Sequence, residues 1–98
     1  MTKAHEPITP GEILLTEFLE PLGISQYRLA QATALSQTRI SEIVRGKRAI
    51  TTQTALRLSK ALGVDDRFWI NIQTDYDLEV ERDRHAGDIA KVISLVAR

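Results

Sequence analysis

Apolar residues fall along this chain in short bursts of helical spacing, each closed by a glycine, a proline or a small polar break. Leu15, Phe18, Leu19 and Leu22 follow the i, i+3, i+4, i+7 rhythm of a buried helical stripe. Ahead of them, Thr9-Pro10-Gly11-Glu12 offers an N-cap hydroxyl, a proline at the first helical position and a glutamate three residues past the cap. Pro21 lacks the N–H a helix interior needs, so this helix is expected to end near Glu20, with Gly23 in the turn. A second helix starts after Ser25 and turns Leu29 and Ala30 inward, and the break Ala34-Leu35-Ser36 follows it. Ser36 caps a third helix with Ile40, Ile43 and Val44 inside and Gly46 as its stop. Past the loop from Lys47 to Thr51, Ala55, Leu58 and Leu62 line a fourth helix ended by Gly63. Asp65 or Asp66 caps a fifth, where Trp69, Ile72 and Tyr76 share one face with Phe68 beside it. Beyond Leu78 the chain becomes charge-dense, and Gly87 precedes Ile89, Val92, Ile93 and Val96, whose spacing fits a short helix or an edge strand. The pattern predicts an all-α fold of five helices in one domain: a loose lead-in over 1–8, core helices over 9–78 and a C-terminal extension over 79–98.

Residues 26–45, QYRLAQATALSQTRISEIVR, have the spacing of a helix-turn-helix. Two short helices that cross steeply need a small residue at the crossing, and Ala30 supplies it. Leu29, Leu35, Ile40 and Ile43 anchor the pair to the core. The tight turn usually holds a glycine; here Ala34 stands in that place, where a left-handed backbone costs about 1 kcal/mol or somewhat more. With its apolar residues inward, the third helix presents Gln37, Thr38, Ser41, Glu42 and Arg45, with Arg39 at the flank. Short hydroxyl and amide side chains reach base edges in a major groove about 12 Å wide, whereas an ordinary solvated face carries more Lys and Glu. Gln37 suits adenine and Thr38 a thymine methyl; Ser41 and Glu42 are further base-contact candidates, Glu42 by accepting from cytosine or by excluding wrong bases. Arg39 suits either a base or a phosphate. Gln26, Arg45, Lys47 and Arg48 are placed to meet phosphates, which position a protein without reading sequence.

The charge distribution changes the picture that the net charge of zero suggests. Residues 36–64 set Arg39, Arg45, Lys47, Arg48, Arg57 and Lys60 against Glu42 alone, a surplus of +5. Residues 65–88 set Arg67, Arg82 and Arg84 against eight acids, a net of −5. Neighbouring blocks of opposite sign fit two partners of opposite electrostatic character, or two solvated faces. At 98 residues, 43% apolar and 27% charged, the chain has the balance of a soluble domain with a single core. The absence of cysteine excludes disulfides, thiolate zinc sites and cysteine nucleophiles. No apolar run is long enough for a membrane span and no signal-peptide layout is present, so the expected compartment is the cytoplasm. His5 and His85 stand apart from one another, and no Ser-His-acid arrangement, metal-ligand spacing or glycine-rich phosphate loop exists; no enzymatic activity, metal or cofactor is expected. One recognition helix reads half a site, and such proteins usually pair across half-sites about 34–36 Å apart. Trp69 is expected to close the core, which leaves Tyr76, Leu78 and Val80 as candidates for a subunit contact.

The helix-turn-helix resembles that of the phage-repressor-like (XRE) class, and the resemblance extends on both sides of it. ITPGEILLTEFLEPLGIS, VRGKRAIT followed by TALRLSKALG, and RFWINIQTDYDL together resemble the HigA antitoxins over about residues 8–80. Two departures stand out: Thr9 where a histidine is common before Pro-Gly-Glu, and Ala34 for the turn glycine. The resemblance implies a five-helix DNA-binding domain that dimerises on its own operator and represses its own operon. It also implies neutralisation of a HigB-like toxin, a small mRNA-cleaving ribonuclease of RelE-like fold. The acidic 65–88 block is compatible with a basic ribonuclease, and contact through the first helix is equally open. The alternatives are a stand-alone XRE-family regulator without a toxin, and an interaction module that has lost DNA.

Overall fold

The computed structural model describes residues 6–96. Helix α1 is one helical run over 10–22: an α-turn at Pro10–Ile13, a π-helical stretch at Leu14–Leu19 and an α-turn at Glu20–Leu22. Thr9 caps it as expected, its Oγ1 accepting from the Glu12 N–H at 3.1 Å. The expected stop near Glu20 is not observed. The π-helical stretch widens the backbone just ahead of Pro21, which seats a ring that an ordinary α-turn would press against the Glu17 carbonyl. Gly23, left-handed at φ 65°, ends the helix. The wider turn also moves the buried stripe. Leu14 and Leu19, five residues apart and so stacked by the π spacing, are fully buried, while Leu15 and Phe18 are half-buried and Leu22 is exposed.

Four more helices build the remainder of the core: α2 Gln26–Thr33, α3 Gln37–Val44, α4 Thr52–Leu62 and α5 Phe68–Arg84. Serine or threonine caps α2, α3 and α4, with Ser25, Ser36 and Thr51 accepting from the N–H three residues on. Gly46 and Gly63 take left-handed conformations where the pattern placed helix stops. Leu14, Leu19, Leu29, Ala30, Ile40, Ile43, Ile50, Ala55, Leu58 and Trp69 form one buried cluster. Trp69 sits in it with no exposed surface, ringed by Phe18 and Phe68 at centroid separations of 5.2 and 5.1 Å.

The C-terminal part departs from expectation in two places. Helix α5 starts at Phe68 with Arg67 as its N-cap; Asp65 serves one turn earlier, its Oδ1 accepting from the Arg67 N–H at 2.8 Å. The helix then continues past Leu78 to Arg84, because the charge-dense segment is built of helix-compatible residues with Arg82 and Arg84 in the last turn, where the helix dipole favours cations. The tail resolves into a short helix α6, Ala86–Ala90, and among the described residues there is no strand. His85 lies at the α5–α6 junction with Nε2 3.4 Å from the Glu81 carboxylate, while His5 lies outside the described residues. Ile89 on α6 and Val92, Ile93, Leu95 and Val96 beyond it are all exposed. Among the described residues, no helix is long and apolar enough to cross a membrane.

Candidate nucleic-acid interface

The α2–turn–α3 unit is built from two caps and one strained residue. Ser25 and Ser36 accept from Arg28 N–H and Arg39 N–H at 3.0 and 3.1 Å, satisfying donors that each helix start would otherwise leave open. Between the helices Ala34 adopts φ 59° and ψ 34°, the only non-glycine left-handed residue among those described. The turn it makes returns Leu35 N–H to the Ala30 carbonyl at 3.1 Å. Ala30, at the crossing, is buried. From α4, Arg57 Nη1 donates to the Thr33 carbonyl at 2.8 Å, so one cation of the basic block closes the C-terminal end of α2.

Helix α3 is seated from the other side by α1. Gly11 lies so close that a Cβ there would overlap the Ile43 carbonyl, which makes the glycine a packing requirement. Ile40 and Ile43 are fully buried and Val44 is half-buried, so the helix has one apolar face turned into the molecule. Gln37 and Thr38, in its first turn, are exposed; Arg39, Ser41 and Glu42 are half-buried, and Arg45 is exposed with its Nε donating to the Ser41 carbonyl at 3.4 Å. Gln26, half-buried, opens α2. Lys47 and Arg48 are exposed on the loop that follows α3. These side chains therefore come from α3, its following loop and the start of α2. Tyr76, Leu78 and Val80 lie on α5, with Leu78 exposed and the other two half-buried.

Two features of the loop were not legible in the sequence. Glu42 Oε1 accepts from Arg48 Nε at 2.7 Å, and its backbone carbonyl accepts from Lys47 N–H at 2.8 Å. Gln73, buried on α5, accepts from Ile50 N–H through Oε1 at 2.7 Å and donates through Nε2 to Asp77 Oδ1 at 2.9 Å. Its one sequence signal is its place four residues after Trp69, on the inward stripe.

A helix-turn-helix family model matches residues 15–69, more than half of the chain. The chain is 48% identical over 92 residues to virulence-associated protein I of Dichelobacter nodosus, covering 93% of itself and 85% of that protein. Against antitoxin HigA-1 of Vibrio cholerae it is 39% identical over 81 residues, which is 83% of this chain and 76% of the relative. Among solved structures, a Pseudomonas aeruginosa antitoxin HigA with higBA promoter aligns with a TM-score of 0.86 at 35% identity, over 93% of this chain and 100% of that one. The chain belongs to the XRE-type helix-turn-helix family, in the group of the HigA antitoxins.

Proposed function

We propose that this protein is an antitoxin that binds operator DNA as a dimer, represses its own operon and neutralises a HigB-like, RelE-fold ribonuclease. The observation that carries the DNA-binding part is the two-sidedness of α3. Ile40 and Ile43 are buried, while Gln37 and Thr38 face outward and Arg45, Lys47 and Arg48 follow, all exposed. In this reading Gln37, Thr38 and Ser41 meet base edges, Arg39 flanks them, and Gln26, Arg45, Lys47 and Arg48 meet phosphates. The related HigA structure with promoter DNA supports the DNA-binding part of this reading. Replacing Arg45, Lys47 and Arg48 together with alanine tests it. Affinity for the DNA upstream of the gene is expected to fall, and the slope of log K against log [salt] to become shallower by about 2–3. An unchanged slope sinks the assignment.

For the partner, the support is electrostatic. Asp75, Asp77, Glu79, Glu81, Asp83 and Asp88 are all exposed on α5 and α6, a surface suited to a basic ribonuclease. Co-expression with the neighbouring reading frame tests the antitoxin role, with rescue of growth and co-purification expected. A neighbouring product that is harmless alone and does not co-purify points instead to a stand-alone regulator. Either role places the protein with its DNA, in the cytoplasm.

A further inference from the structure

Glu42 is the lone carboxylate among the six cations of residues 36–64, and it projects from the helix offered to DNA. A bare carboxylate there repels phosphate. The structure gives it an occupation that base reading would interrupt. Its Oε1 holds Arg48 Nε at 2.7 Å, next to the main-chain bond from Lys47 N–H to the carbonyl of residue 42 (2.8 Å) that closes α3 whatever side chain stands there. The turn at Gly46, with φ 75°, brings Arg48 back over α3 to make the side-chain tie. The Glu42 side chain is 29% exposed and that of Arg48 47% exposed, so the carboxylate is the more enclosed partner and the guanidinium the more open one.

The guanidinium is a rigid plane with five N–H donors, of which Nε–H is the one that Glu42 engages. Holding Nε fixes the direction in which the two Nη groups point and leaves their donors for a second acceptor. We infer that Glu42 is a positioning residue: it orients the Nη edge of Arg48 toward a DNA phosphate and does not read a base. This rests on the DNA-binding reading and takes Glu42, a base-contact candidate of the sequence, out of that role.

The test is a double-mutant cycle at positions 42 and 48, with duplexes selected by the unaltered protein from a randomised pool. Glu42→Ala should weaken binding roughly three- to tenfold when Arg48 is present and should cause no loss in the Arg48→Ala background. Glu42→Gln keeps an acceptor oxygen for Nε–H and should restore binding to the wild-type level or tighter, since it also removes a negative charge. Base preference, measured by reselection, should stay the same in both variants, and thermal unfolding checks that each is folded. An altered base preference, or an equal loss in both backgrounds, overturns the inference by making Glu42 a direct DNA contact. Equal tightening by alanine and glutamine also overturns it, leaving only a charge effect. Failure of the unaltered protein to select any duplex sinks the DNA-binding reading and this inference together, whereas selection with no coupling sinks the inference alone.

Discussion

Ala34 holds φ 59° because the α2–α3 turn demands a left-handed residue whatever stands there. The methyl group costs about 1–2 kcal/mol in that conformation, and glycine would give part of this back as extra freedom of the unfolded chain. Ala34→Gly is therefore expected to raise stability by about 0.5–1 kcal/mol, seen as a rise of several degrees in thermal unfolding, with DNA affinity unchanged. A fall in melting temperature would contradict the strain assigned to this residue. This position was legible in advance, since a turn of fixed length between two capped helices leaves only one place for the reversal. The Glu42–Arg48 tie was not, because a charge on a polar face has no periodic signature and its partner is chosen by the path of the loop.

At the level of the element, α1 teaches the most. Its N-terminal cap follows from local chemistry alone. Its end does not, because Pro21 is tolerated only where the helix has opened into a π-turn, and that opening places Leu14, not Leu15, in the core. The same helix supports α3 through Gly11. Gly11→Ala is expected to force the two backbones apart, costing roughly 1–3 kcal/mol in chemical denaturation and, under the proposed DNA-binding role of α3, weakening DNA binding by moving that helix. Gln73 joins α5 to the loop before α4. Gln73→Leu would leave the buried Ile50 N–H without its acceptor, an expected loss of about 1–3 kcal/mol. A stability change below a few tenths of a kcal/mol would show that water replaces the glutamine without cost.

At the scale of the whole molecule, the apolar tail stands uncovered in the single chain. Ile89, Val92, Ile93, Leu95 and Val96 are exposed close to one another in the chain, beyond an α5 that also leaves Leu78 exposed. Burying a side chain of this size stabilises by about 1.5–3 kcal/mol, so leaving the group in water forgoes a large contribution. We propose that a second copy of the chain covers the tail as well as the candidate contact residues Tyr76, Leu78 and Val80 of α5; such a dimer would carry two α3 helices, one for each half of a two-half-site operator. Ile93→Asp with Val96→Asp is expected to weaken self-association at least about tenfold in sedimentation, and to weaken operator binding with it, while each folded protomer keeps its helix content. Unchanged self-association would remove the tail from the interface.

Spacing and caps by themselves determined five helices in order, the two-sidedness of α3 and the left-handed turn at Ala34, because each depends on residues three or four apart along one segment. Only the tertiary structure decided the widened turn before Pro21, the seat of α3 on Gly11, the tie from Gln73 to Ile50 and the pairing of Glu42 with Arg48. Each of those depends on which segment, or which returning loop, a given atom meets. Such meetings are set by how the helices close around one core, and no period within a single helix records them.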